Sequence, residues 1–143
     1  MQIIIGSDHG GYRLKEEIAE YLKSKGFDVY DAGTYSKESC DYPVIAKDVA
    51  KRVLATENSK GILVCGTGIG ICIAANKVKG IRAAHCTDTY SARMTMQHNN
   101  SNILCLGERV TATGLALDIV DAWLNAKFEG GRHQKRIDMI EEI

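Results

Sequence analysis

Short, largely apolar runs alternate with stretches of helical period from one end of this chain to the other, and that alternation limits its fold more than any other feature. Gln2–Gly6 is rich in isoleucine and stops at a glycine. Phe27–Tyr30, Gly61–Cys65, Ile81–Cys86 and Asn102–Leu106 repeat the theme, as buried parallel strands do. Between the first two runs, Leu14, Ile18, Tyr21 and Leu22 recur on one helical face, leaving Lys15, Glu16, Glu17 and Lys23 for the others. Pro43 is the only proline and suits the first turn of a helix that carries Ile45, Val49 and Val53 inward. A small-residue helix runs through Ala74, Ala75 and Asn76. Another, capped by Thr87 or Asp88, is expected to end near 98–100. Gly114–Lys127 places Leu115, Ile119 and Trp123 on one side. Five such units predict an α/β, Rossmann-like three-layer sandwich: a five-stranded parallel sheet with helices on both faces and the uncharged Gly61–Cys65 run at its centre.

The 143 residues suffice for one domain, 1–143, with a core large enough to need no staple. Eighteen Lys+Arg balance eighteen Asp+Glu, which disfavours a general role on nucleic acid or an anionic membrane and leaves a small acidic metabolite open. MQIIIGSDHGG has none of the three parts of a signal peptide. Gly61–Ala75 falls short of the roughly 18 apolar residues of a membrane helix. Five cysteines (40, 65, 72, 86 and 105) form no Cys-x-x-Cys pair, so a reducing cytoplasm fits better than a disulfide framework or a zinc cluster.

Open parallel sheets bind ligands outside the carboxyl ends of their strands. That directs attention to Ser7-Asp8-His9, Cys65-Gly66-Thr67, Thr87-Asp88 and Gly107-Glu108-Arg109. The most specific of these opens Cys65-Gly66-Thr67-Gly68-Ile69-Gly70. Its glycines let backbone N–H groups converge at a helix N-terminus, making an anion hole with a thiol at its rim, where a thiolate is favoured. Ile71 stands where a dinucleotide fingerprint needs glycine and where a phosphatase loop ends in arginine, and no Gly-Lys-Ser/Thr follows. A tight turn with a buried cysteine is the alternative. Asp8-His9 can transfer protons or bind phosphate, or Asp8 can simply cap a helix. His98-Asn99-Asn100 is either an acid/base histidine with polar neighbours or a helix C-cap. Arg132 and Arg136 are one helical turn apart and could grip one phosphate, or form a solvated face; Arg109 could add a third cation. Cys40, Cys86 and Cys105 read as small packed hydrophobes, and His85 as a satisfied strand histidine.

Taken together, GSDHGG at 6–11, DYP at 41–43, CGTGIG at 65–70, AANKVKGIRAA at 74–84, HNN at 98–100 and GGRHQKR at 130–136 resemble the ribose-5-phosphate isomerase type B group of the sugar-phosphate isomerase family, along the whole chain. The resemblance implies an aldose–ketose isomerase of the pentose phosphate pathway, with Cys65 as the base acting on C2 and C1 of the open-chain sugar. It gives Thr67 the transfer of a proton between the two oxygens, and the Gly66, Thr67, Gly68, Ile69 and Gly70 amides the enediolate. His98 would open the sugar ring, with Asp8 nearby and Asn99 holding a hydroxyl. His9, Arg109, Arg132 and Arg136 would share the phosphate. It implies no metal or organic cofactor, and a homodimer or homotetramer in which the basic tail, 130–143, completes a site across a subunit interface. Where part of the family has a glutamate just after the glycine loop, this chain has Ile71, which leaves Cys65 without a stand-in. Where relatives often have serine, it has Cys72. A hexose such as allose 6-phosphate is the nearest alternative substrate. A sugar-phosphate sensor without turnover is the alternative from another class, whereas a phospho-acceptor receiver would need aspartate at position 65.

Overall fold

Isoleucines on both sides of the first strand set the layering. Ile3 and Ile5 point into one core and Ile4 into another, all at most 1% exposed. A strand covered on both faces has to lie inside a sheet flanked by helices. The computed structural model describes residues 1–143 and has that architecture. In chain order the elements are β1 (Gln2–Ser7), a one-turn helix at His9–Gly11, α1 (Tyr12–Ser24), β2 (Asp28–Asp31), α2 (Tyr42–Ala55), β3 (Ser59–Cys65), α3 (Ile69–Asn76), β4 (Ala83–His85), α4 (Thr89–Asn99), β5 (Ile103–Gly107), α5 (Thr113–Asn125) and α6 (Arg132–Glu141).

All pairings are parallel, in the order β2-β1-β3-β5-β4, so β3 is central as its uncharged sequence implied. Helices α1, α4 and α5 pack with Ile62, Val64, Leu104 and Leu106 on one face. Helices α2 and α3 pack with Leu63, Ile103 and Cys105 on the other. Neighbouring strands β1 and β3 send their crossovers in opposite directions, and the gap between their carboxyl ends is where such a sheet binds ligands. No helix is long and apolar enough to cross a membrane.

Several local expectations change. Lys15 is fully buried rather than outward: Nζ reaches both carboxylate oxygens of Asp31 at 2.8 Å and the Thr34 carbonyl at 2.6 Å. A charge can sit in the core because those oxygens replace its water. The inward face of α5 is Ala116, Ile119, Val120 and Trp123; Leu115 lies in the first turn and is exposed. The Trp123 indole N–H donates to Ser101 Oγ at 2.8 Å, which lets the largest side chain be buried whole. Strand β4 keeps only three residues of the expected Ile81–Cys86, since it borders β5 alone. Cys86 and Cys105 do pack as small hydrophobes, whereas Cys40 sits half-buried in the loop before α2. His85 is not satisfied: its Nε2 is buried without a hydrogen-bond partner.

Candidate active site

The carboxyl ends of β1, β3 and β5 meet because glycines stand where nothing larger fits. A Cβ on Gly11 would lie 2.5 Å from the Val64 carbonyl, and one on Gly107 would run into the Thr67 backbone. The turn after β1 therefore lies flush on β3, and the turn after β3 flush on β5. Asp8 caps the one-turn helix by accepting from the Gly11 N–H at 3.1 Å, so the capping reading is correct. Asp8 also lines the cavity beside Cys65.

Gly68 adopts φ +82°, a conformation that turns the chain straight into α3. Its N–H donates to Cys65 Sγ at 3.0 Å, and the Ile69 N–H donates to Thr67 Oγ1 at 3.2 Å. Cys65 is 5% exposed and opens onto a cavity of about 400 Å³ lined by Asp8, Tyr42, Gly66, Thr67, Ile69, Gly70 and Arg109. The Arg109 backbone N–H donates to the Gly66 carbonyl at 3.0 Å, and its guanidinium lies over Gly66. His9 Nδ1 accepts from the Cys40 N–H at 3.2 Å, leaving Nε2 to carry the proton of the neutral ring. The arrangement offers a sulfur that can exchange a proton with substrate carbon, a hydroxyl and a carboxylate beside it, converging amides for developing negative charge, and a cation at the rim.

The other thiols are turned elsewhere. Cys72 donates to the Ala83 carbonyl at 3.5 Å rather than to the loop, and contact with the Cys105 thiol lowers its pKa. Burial pushes Cys105 well above the usual thiol range and Cys86 up to about 11. Thr87 and Asp88 do not line the cavity; Asp88 caps α4 by accepting from the Ser91 N–H, a bond that lowers its pKa.

One chain does not bring together all the residues singled out in its sequence. His98 and Asn99 end α4, just before β5 begins, and thus lie at the amino edge of the sheet, roughly 20 Å of strand from Cys65. Asn100 takes φ +44°, so the C-cap reading of this segment is also correct. Arg132 and Arg136 lie on α6, which packs on α4 and is tied to the start of β4 by Glu141 on Arg82 at 2.6 Å. Arg109, Arg132 and Arg136 enter none of the ion pairs, which leaves all three guanidinium groups for an anion. His98 stacks on His133 with ring centroids 4.2 Å apart, and Glu129 faces both. Burial, followed by the charges of His98 and Arg132, lowers the His133 pKa. A larger cavity of about 590 Å³ also lies at this edge, between the end of α3, Arg82, Asn99 and the last turn of α6. Sequence reasoning passed over Tyr42, whose ring lies where a Cβ on Gly70 would be, and over the Glu129–His133 partnership with His98. The DYP motif held the signal for Tyr42. Glu129 and His133 sat unmarked within and beside GGRHQKR.

A parallel sheet with a thiol-bearing glycine turn at its switch point, its amides at a helix N-terminus, is the arrangement of α/β proteins suited to a small phosphorylated or oxyanionic molecule at the strand ends. Comparison with known proteins narrows the class. The sequence profile described as Ribose/Galactose Isomerase matches residues 3–140, and the chain belongs to that family. Ribose-5-phosphate isomerase B of Escherichia coli K12 is 51% identical over 142 residues, covering 99% of this chain and 95% of the relative. The solved structure of ribose-5-phosphate isomerase B from Clostridium thermocellum superposes with a TM-score of 0.98 at 59% identity, covering 99% of this chain and 96% of that one. The Mycoplasma genitalium enzyme, solved with bound ribulose 5-phosphate, gives 0.94 at 47% identity, covering 99% and 94%.

Proposed function

We propose that this chain interconverts ribose 5-phosphate and ribulose 5-phosphate through an enediolate, with Cys65 as the base. The observation that carries this reading is the Cys65 sulfur, held by the Gly68 amide and facing a cavity that also holds Thr67, Asp8 and Arg109. The thiolate takes the proton from C2 of the open-chain aldose and returns it to C1. The negative charge passes to the sugar oxygens, where the Gly66–Gly70 amides receive it, and Thr67 carries a proton from one oxygen to the other. His9 and Arg109 hold the phosphate from this side.

His98, Asn99, Arg132 and Arg136 enter the same site from a second copy of the chain. The separation of the two edges within one chain supports this, and so do the guanidinium groups of Arg132 and Arg136, which enter no ion pair. In that assembly His98 opens the sugar ring, Asn99 holds a hydroxyl, and Arg132 and Arg136 close on the phosphate, the 130–143 tail reaching across the interface. Five unpaired thiols fit a reducing cytoplasm.

The test is turnover on ribose 5-phosphate and allose 6-phosphate, in chelator, for wild type and Cys65→Ala. A positioned base supplies about 10²–10⁴-fold. The variant is expected to lose at least about 10²-fold in kcat/KM while still binding the sugar phosphate. A variant that keeps its rate removes Cys65 as base. A wild type that binds both sugars and turns over neither is a sensor.

A further inference from the structure

His98, Glu129 and His133 come from three different elements, the end of α4, the loop between α5 and α6, and the first turn of α6. Their donor atoms nevertheless all lie within 4.8 Å of one another. The Glu129 backbone N–H donates to the Gln97 carbonyl at 3.0 Å, which fixes the carboxylate beside the last turn of α4. Glu129 Oε1 is 3.4 Å from His133 Nε2 and 3.8 Å from His98 Nε2. A tetrahedral zinc with bonds near 2.0–2.2 Å spaces its donors about 3.3–3.6 Å apart, close to the spacing already present, and the exposed His98 ring has to turn out of its 10° stack on His133 so that both ring planes contain the ion. His133 is 6% exposed, and its Nε2 is buried with no hydrogen-bond partner, a state a bound cation would relieve. Access comes from the His98 and Glu129 side, where the side chains are 40% and 50% exposed. Two imidazoles and one carboxylate with an open fourth position form a donor set that selects zinc-class ions over magnesium or calcium.

We propose that His98, Glu129 and His133 form a binding site for a zinc-class divalent cation, and that an ion bound there withdraws His98 from sugar-ring opening. The ion is a regulator of the site rather than its cofactor. Binding depends only on the three side chains; the withdrawal of His98 rests on the function proposed above.

The experiment titrates Zn²⁺, and Co²⁺ as its spectroscopic substitute, into chelator-stripped full-length protein of the Cys65→Ala background. Calorimetry and visible absorption are the readouts. One equivalent per chain is expected, with Co²⁺ d–d bands and no thiolate charge-transfer band. Loss of a ligand weakens the site by at least about tenfold. Glu129→Gln is the decisive variant because its side chain is half exposed and the change keeps its shape; His98→Ala is expected to weaken binding similarly. Absence of binding, a thiolate band, or unchanged affinity in Glu129→Gln overturns the site. In the protein with Cys65 intact, Zn²⁺ is expected to slow turnover on ribose 5-phosphate reversibly, and Glu129→Gln to need about tenfold more ion for the same inhibition. Turnover unaffected by a saturated site overturns the withdrawal of His98. A saturable site in a protein without turnover leaves the site standing and removes the isomerase reading instead.

Discussion

At the carboxyl edge of the sheet, Gly11, Gly68 and Gly107 pack against neighbouring groups so closely that no side chain fits, and Cys65 already holds the Gly68 amide. At the amino edge, His98 and Glu129 are 40% and 50% exposed, and His133 keeps a buried nitrogen without a hydrogen bond. The first edge is finished within one chain: its anion hole needs no rearrangement, the condition under which fixed amides stabilise developing charge best. The second carries acid/base and cationic groups with no internal task. On the function proposed above, these two edges are halves of one site, joined through a second copy of the chain.

If the carboxyl edge is the braced one, changes beneath it have large effects. Lys15 anchors the 31–34 loop, and that loop holds the end of β1 through the Ser7 N–H to the Gly33 carbonyl and the Thr34 N–H to the Ser7 carbonyl, each 2.7 Å. Replacing Lys15 with Met leaves Asp31 and the Thr34 carbonyl without their buried partner. It is expected to cost about 3–4 kcal/mol by urea unfolding. A cost below about 1 kcal/mol means the brace is not there. Next in size, Gly107→Ala forces a methyl into the Thr67 backbone and is expected to cost about 2–3 kcal/mol, with loss of turnover as the glycine loop shifts. Stability lost with turnover intact separates the packing of the loop from its chemistry.

The alternation of strands and helices was legible in the sequence because apolar period reports burial directly. So was the interior place of β3, although Gln2–Gly6 and Asn102–Leu106 are equally free of charge and form its neighbours β1 and β5. Lys15 was not legible, since its charge argued for solvent although its spacing from Ile18 and Leu22 puts it on the buried face, and its partner Asp31 lies on another element. Leu115 misled by its size: the helix begins at Thr113 and turns the smaller Ala116 inward instead. At the site, CGTGIG marked the sharp strand-to-helix turn, because closely spaced glycines point to backbone that side chains would not allow. The His98–Glu129–His133 group did not, because three donors 31 and 4 residues apart become a cluster only after α4 and α6 pack.

The smallest expected effect concerns Glu17, which braces the same edge by joining α1 to Thr113 at the start of α5. The Thr113 hydroxyl, with Arg13, lowers its pKa. A depressed carboxyl contributes stability above its unfolded pKa and loses it as pH falls through the folded value. Wild type should therefore exceed Glu17→Gln by ~0.5 kcal/mol at neutral pH after solvent screening, and the gap should close below about pH 4.5. A gap that widens in acid contradicts that sign.

The central claim, that a working site takes Cys65 from one copy and His98 from another, is tested most directly by mixing two crippled chains. Cys65→Ala and His98→Ala, each nearly inactive alone, are refolded together. Random pairing makes half the dimers mixed, and each mixed dimer holds one intact site out of two, so about a quarter of wild-type activity is expected to return. Activity no higher than that of the separate variants would contradict the account.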